Sequence, residues 1–367
     1  MAFMITTASS ITMNSSPYPN YMTSSKFGCI PGAMHEHERI KLKQASSWSL
    51  QFKAPMKVNA TKVDAIDWSM VDPKKESPNM VSDLRVERMI HDDSIFQEIF
   101  CIRLYEVGPD ETASIETLMN HLQETTANHM KKSGLMHDGF GFGSEEMSKH
   151  NLTWVMAKIQ MIVDRYPIWG DIVQMETWKA AHGKNGVCCN LTLHDCKTGE
   201  ILVRASSYWV MMNTKTRKLS KFPNEVRAKL EQIYVDKPPL IEQDTRTWSK
   251  SEEKINEHIC KGLKPRWSDL DINQHVNNVK YVGLILESVP KTIIENYEIH
   301  SMTLDYYREF TKDNILQSFT SILTNNSDET SNYDIVDCQH LLRFDIDGDN
   351  SNIMKGRTRW RLKQGNK

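Results

Sequence analysis

The chain has 367 residues, 45 Lys and Arg against 47 Asp and Glu, a formal net charge of -2, and 39% apolar and 25% charged residues. That balance fits a globular protein of two ordinary domains or one internal duplication. It argues against a nucleic-acid partner, since no basic block is interleaved with aromatics, and against a membrane span, since no run approaches the roughly 20 apolar residues required.

From Met1 to Met34 there is no Asp or Glu, Ser and Thr are abundant, and Lys26 is the lone base. Arg39, Lys41, Lys43, Lys53 and Lys57 follow. An acid-poor, hydroxyl-rich start followed by bases reads as an organelle transit peptide, residues 1–60. Residues 61–94 are polar, contain Pro73 and Pro78, and read as a linker. Structured patterns begin at Ile95.

Ser114 to Met130 is the first helix. Ile115, Leu118, Met119, Leu122 and Thr126 recur at helical spacing, Ser114 suits the N-cap, and Gly134 suits the stop. Strands are expected at Leu152–Val163, Asp171–Trp178, Val187–His194 and Ile201–Met212. Their turns lie at Tyr166–Gly170, Gly183–Gly186 and Lys197–Glu200. A long helix followed by antiparallel strands predicts an α+β unit, a sheet wrapped around the helix, over residues 95–235. Val226–Ile233 is a short charged helix, and 236–257 reads as a connector.

The order then repeats over 258–367. Val276, Val279, Val282, Leu286 and Val289 predict a second helix ended by Pro290. Strands are expected at Ser301–Phe310, Ile315–Leu323, Val336–Asp345 and Arg357–Leu362, with an exposed loop at 324–333. The repeat is one of pattern order rather than residue identity, and two tandem units are the simplest architecture.

The chemically informative segment is Arg266–Lys280, which contains Asp271-x-Asn273-x-His275. In an extended chain, residues two apart point the same way. A carboxylate can orient an imidazole, a histidine can move a proton near neutral pH, and an Asn amide can donate to an oxygen that gains charge. A following helix would add free N–H groups. Such a set suits acyl hydrolysis, but the same residue types also cap helices and form turns. The seven cysteines form no CxxC pair, so a disulfide framework or structural zinc is not expected and a reducing compartment fits. They read as small packing residues.

The run Trp267-Ser-Asp-Leu-Asp-Ile-Asn-Gln-His-Val-Asn-Asn-Val-Lys-Tyr281 resembles the signature of plant acyl-acyl-carrier-protein (acyl-ACP) thioesterases of the FatB type. So do Ala113–Glu124, Tyr166–Asp171, Arg204–Asn213 and Arg217–Lys221, in the family's order. The resemblance implies a tandem double hot-dog fold, import into the plastid stroma, and hydrolysis of the thioester between a fatty acyl chain and ACP, with no cofactor or metal. It puts Asp271, Asn273, His275 and Glu309 on active-site positions. Water would attack, with Glu309 and His275 taking the proton, Asn273 and helix N–H groups steadying the oxygen, and Asp271 holding the geometry. The first unit would hold a saturated acyl chain, with Leu118, Met119 and Leu122 as candidates, though ordinary core is the competing role for them. Lys131, Lys132, Arg217, Lys218 and Lys221 are candidates for meeting acidic ACP. A homodimer is left open.

The chain also departs from the family. Phe310 stands where a cysteine usually follows the Glu, Cys188-Cys-Asn-Leu191 replaces Arg-Arg-Asp-Trp, Tyr307 replaces an Arg, and the usual apolar segment after the transit peptide is missing. These changes keep two alternatives in view: a non-catalytic acyl-ACP or acyl-chain binding protein, and a thioesterase for another carrier such as acyl-CoA.

Overall fold

The computed structural model describes residues 86–91, 94–137, 143–242, 258–323, 335–346 and 351–363. All belong to one compact unit, Asp72–Lys367. The transit segment 1–60, the loop 324–333 and most of the linker and connector lie outside the described residues.

In the first half, β1 (Val86–Ile90) and β2 (Ile95–Cys101) precede the long helix α1 (Ile115–Lys132) and the short α2 (Glu145–Lys149). Then come β3 (Leu152–Val163), β4 (Ile172–His182), β5 (Gly186–Asp195), β6 (Ile201–Asn213), β7 (Leu219–Ser220) and α3 (Asn224–Ile233). The second half runs β8 (His258–Leu263), α4 (Lys280–Leu286), α5 (Lys291–Asn296), β9 (Tyr297–Tyr306), β10 (Leu316–Leu323), β11 (Ile335–Phe344) and β12 (Asn352–Leu362).

α1 begins and ends for local reasons. Ser114 Oγ accepts from Thr117 N–H at 3.1 Å. At the other end Gly134 takes φ +65°, its N–H reaches Lys131 C=O at 3.1 Å, and Leu135 N–H reaches Met130 C=O at 2.9 Å. That is the left-handed glycine stop in which two otherwise unpaired carbonyls are satisfied. The apolar stripe Ile115, Leu118, Met119 and Leu122 is buried. It packs on β2 and β4, where Val173 and Met175 alternate inward while Gln174 and Glu176 stay half-exposed.

The strands form one antiparallel sheet in the order β1-β2-β4-β5-β6-β3-β9-β12-β11-β10-β8, with β7 pairing β6. The order is mirrored about the β3–β9 seam, which runs from Lys158 opposite Asp305 to Ile162 opposite Ser301. α1 lies against the first half of the sheet, α4 against β10 and β11, and the two helices touch. Lys280 Nζ meets Glu116 Oε2 across them at 2.8 Å.

The duplication is sharper in the backbone than in the sequence. Arg103–Glu106 and Arg266–Asp269 each form a 3-10 turn whose acidic residue accepts the N–H of the Arg, at 2.7 Å in both. Gly108 N–H to Thr112 C=O, 2.9 Å, matches Asp271 N–H to His275 C=O, 2.7 Å. Ala113 N–H to Pro167 C=O, 2.8 Å, matches Val276 N–H to Phe310 C=O, 2.9 Å. The loop before α1 is thus the first copy of the Asp271–His275 loop.

The observed elements differ from expectation at several points, among them α2, β7 and β8, which were not expected, and the three that follow. Val86–Ile90, read as linker, pairs with β2 as an edge strand. The second helix is not long. It covers only Lys280–Leu286, and Pro290 starts the separate helix α5 rather than simply ending a helix, as fits a residue whose fixed φ suits a helix start. β9 stops at Tyr306, so Glu309 lies in the following loop rather than in a strand.

His340 is buried between hydroxyls: Nδ1 is 2.9 Å from Thr320 Oγ1 and Nε2 is 2.7 Å from Thr358 Oγ1. Burial pushes its pKa from 6.5 down to about 3. Burial, then the charge of Lys179, pushes His129 down to about 2. Both folded pKa values lie below the unfolded value, so the unfolded chain takes up these protons first as pH falls. Both groups therefore make the folded state less stable as pH falls below 6.5, where the unfolded chain gains protons that the folded chain does not. Urea unfolding should therefore show stability falling steadily below pH 6.5, and His340→Gln should flatten that slope.

Candidate active site

The loop that carries the polar triplet is a closed turn rather than an extended run. Leu270 and Val276 pair as an antiparallel bridge. Gln274 takes φ +64°, and its N–H bonds to Asp271 C=O at 3.1 Å. The Asp271 carboxylate fills the turn. Its Oδ1 accepts from Asn273 N–H at 2.8 Å and from His275 N–H at 3.2 Å, and its Oδ2 accepts from Asn273 Nδ2 at 3.4 Å. This is the habit of an Asp side chain bonding the backbone two residues on. Asp271, Asn273 and His275 are brought together by this turn, and the alternation of an extended chain plays no part.

Glu309 comes from the loop after β9, and both its neighbours are tied down. Tyr281 Oη donates to Arg308 C=O at 3.2 Å, and Phe310 C=O accepts from Val276 N–H at 2.9 Å. The Phe310 ring is buried against Tyr281, with centroids 4.6 Å apart. Between these ties Glu309 faces His275, with Nε2 3.6 Å from Oε1. The His275 pKa is lowered from 6.5, first by burial and then by Arg217, against the opposing pull of Asp271. Asn273 is exposed, and its side-chain partner is Asp271.

Two features depart from the sequence-based expectation. The helix N–H groups assigned to the thioester oxygen are spent on the chain itself. Val279 N–H bonds to Asn277 Oδ1 and Lys280 N–H to Asn277 C=O, each at 2.9 Å, and α4 starts only at Lys280. Secondly, Arg217, read as a carrier contact, reaches from the first half to form an ion pair through Nη2 with Glu309 Oε1. Spacing could not have revealed this pair, because the partners are 92 residues apart. Of the other basic candidates, Lys132 pairs with Glu87 at 3.1 Å, while Lys218 and Lys221 are exposed.

With this geometry in hand, comparison with known proteins is decisive. Residues 93–230 match the family model of the acyl-ACP thioesterase N-terminal domain, and residues 252–362 that of the C-terminal domain. The chain belongs to the acyl-ACP thioesterase family. It is 46% identical over 333 residues to a chloroplastic palmitoyl-acyl carrier protein thioesterase of Gossypium hirsutum, covering 90% of this chain and 79% of the relative. It is 51% identical over 299 residues to one of Cuphea hookeriana, covering 81% and 70%. The solved 12:0-ACP thioesterase of Umbellularia californica superposes with a TM-score of 0.66 at 44% identity, over 74% of this chain and 95% of that one. The fold is the tandem double hot-dog of this family.

Leu118, Met119 and Leu122, the acyl-chain candidates of this thioesterase, are buried in the core. A mainly apolar pocket opens beside the next turns of the same helix, lined by Thr126, Ala127 and Met130 together with Trp154, Val187 and Cys189. Cys189, one of the two cysteines that depart from the family pattern, thus forms pocket wall. Cys188 is buried and inert, its thiol pushed up to about 12 by burial first and then by Cys189. Among the described residues no cluster of His, Cys, Asp or Glu is arranged to hold a metal.

Asp271 satisfies two backbone donors at once, so Asp271→Ala should open the turn. Amide hydrogen exchange at Asn273 and His275 should quicken, while that at Val276, tied to Phe310, should change less. Unchanged exchange at 273 and 275 would mean that the carboxylate does not hold the loop.

Proposed function

We propose that this thioesterase hydrolyses fatty acyl-ACP in the plastid by direct water attack, with Glu309 as base and His275 beside it. The observation that carries this is the 3.6 Å approach of His275 Nε2 to Glu309 Oε1, at a loop fixed on both sides. The relatives are named chloroplastic acyl-ACP thioesterases, which supports the carrier, the reaction and the compartment.

Water oxygen bonds to the thioester carbon, and its proton passes to Glu309. The carbonyl oxygen takes the charge, then returns it as the C–S bond breaks. The carrier thiol takes back the proton, leaving free fatty acid and ACP. Asn273, whose 3.4 Å contact with Asp271 is weak, has donor capacity for that oxygen. Asp271 maintains the turn. The depressed His275 pKa keeps the imidazole neutral near neutral pH, able to share in proton transfer.

The first unit, residues 95–235, receives the acyl chain in the apolar pocket beside α1, and the second, 258–367, supplies the reacting groups. The names palmitoyl and 12:0 among the relatives support saturated chains as substrates. The Phe310 departure sits in the core rather than at the Glu309 carboxylate, so it leaves the base in place.

Release of free thiol from acyl-ACP by the purified chain is the direct test. Glu309→Gln and His275→Ala should each lower kcat about 100- to 10,000-fold with the circular dichroism preserved. The acid limb of kcat/KM should fall below pH 6.5, because a lowered His275 pKa delays its protonation. Full turnover by both variants would sink the mechanism, and tight binding without turnover by the unmodified chain would mark a non-catalytic carrier-binding protein. Separately, Cys189→Trp should fill the pocket and shift preference towards shorter acyl chains across a chain-length panel.

A further inference from the structure

Arg217 follows β6 in a tight turn of the first half. Asn213 Oδ1 accepts from Lys215 N–H at 3.1 Å and Thr216 N–H at 2.9 Å, and Arg217 N–H bonds to Asn213 C=O at 2.8 Å. Arg217 itself takes φ +56°, a conformation that non-glycine residues adopt rarely. The turn is locked, and its guanidinium is aimed at Glu309. The oxygen it holds is Oε1, the one that faces His275 Nε2. The titratable groups around His275 are therefore Asp271 on its own loop, Glu309 after β9 and Arg217 after β6.

Several backbone donors near this carboxylate are already bonded. Asn273 and His275 N–H groups are spent on Asp271, Val279 N–H on Asn277 Oδ1, and Val276 N–H on Phe310. Asn273 Nδ2, weakly held by Asp271, is a neutral donor for a developing oxyanion, and Arg217 is the cation paired with Glu309.

We propose that Arg217 is a catalytic residue of the hydrolysis, acting as the counter-ion that follows the negative charge from Glu309 to the thioester oxygen. In the resting site it pairs with the Glu309 carboxylate. When water attacks, Glu309 gains the proton and becomes neutral, and the carbonyl oxygen gains the charge that Glu309 has lost. The guanidinium, with several N–H donors in a fixed fork, then bonds that oxyanion. Net charge is conserved, no further reactant is needed, and the cation keeps an anionic partner throughout. When the C–S bond breaks, the charge leaves with the thiolate, which takes the proton from Glu309, and the resting pair re-forms. This role rests on the water-attack function proposed above.

The test is the kinetics of Arg217→Met and Arg217→Lys on acyl-ACP and on a small acyl thioester of N-acetylcysteamine, which has no carrier. Arg217→Met should lose about 100-fold or more in kcat on both substrates, with little change in KM. Its acid limb should move to higher pH, because the cation that depresses His275 is gone. Arg217→Lys keeps the charge without the fork, so it should recover part of kcat and the original acid limb. If Arg217→Met fails to fold, the Lys variant and Arg217→Gln carry the test. A loss confined to KM for acyl-ACP, absent with the small thioester, would make Arg217 a carrier contact and overturn the proposal. So would a kcat within about threefold of the parent. If Glu309→Gln and His275→Ala abolish turnover while Arg217→Met does not, the counter-ion role alone is lost. If none of them lowers turnover, the water-attack mechanism itself has failed.

Discussion

The antiparallel seam between β3 and β9 is the constraint from which the site follows. β6 and β9 both pair with β3, both run antiparallel to it, and so run in the same direction. Chain segments that leave these strands therefore emerge on the same side of the sheet. Arg217 follows β6 and Glu309 follows β9, and their ion pair needs no long reach. If the two halves did not share this seam, the second half would carry Glu309 and His275 without the cation that balances them.

A duplicated backbone has been put to two uses. The first copy of the Asp271–His275 loop keeps the hydrogen bonds but not the residue types. Gly108, Asp110 and Thr112 stand where the second copy has Asp271, Asn273 and His275, and Tyr166 stands where it has Glu309. Tyr166 is buried, and its hydroxyl donates to Ile299 C=O at 2.8 Å, tying the halves together. The helices diverge in the same sense. α1 is long, and its stripe builds the core and the wall of the apolar pocket, while α4 is reduced to Lys280–Leu286. The first half carries an apolar pocket beside α1, and the second carries the Asp271–His275 turn and Glu309. A carboxylate and an imidazole stay accessible to water only if they avoid the apolar core.

Arg217 also bears on how the departures from the family pattern are tolerated. Phe310 is a core residue whose backbone carbonyl, not its side chain, fixes Glu309. A change of side chain there leaves the carbonyl in place. Cys188 and Cys189 lie on β5, and of the two Cys189 lines the apolar pocket. Cys189 therefore acts on the shape of the pocket in the first half, while Phe310 packs against Tyr281 in the second.

Much of the fold could be read from the sequence because its determinants are local. Ser114 and Gly134 set the ends of α1, and alternation with turn residues placed β3 to β6 within a few residues. That Asp271, Asn273 and His275 come together was legible for a similar reason: they sit in one short motif, and a motif is local. What failed was tertiary in origin. The valine spacing from Val276 to Val289 looked like one helix, yet Val276 is held by Phe310, so the helix starts later. Val86–Ile90 is polar enough to pass for a linker and becomes a strand only because β2 offers it an edge. The pairing of Arg217 with Glu309 could not be read at all, since 92 residues separate them and only strand order brings them together. The sequence by itself determined which residues cap, turn and alternate, because those choices depend on near neighbours. The tertiary structure decided which distant charges meet, because that depends on the direction in which paired strands leave the sheet.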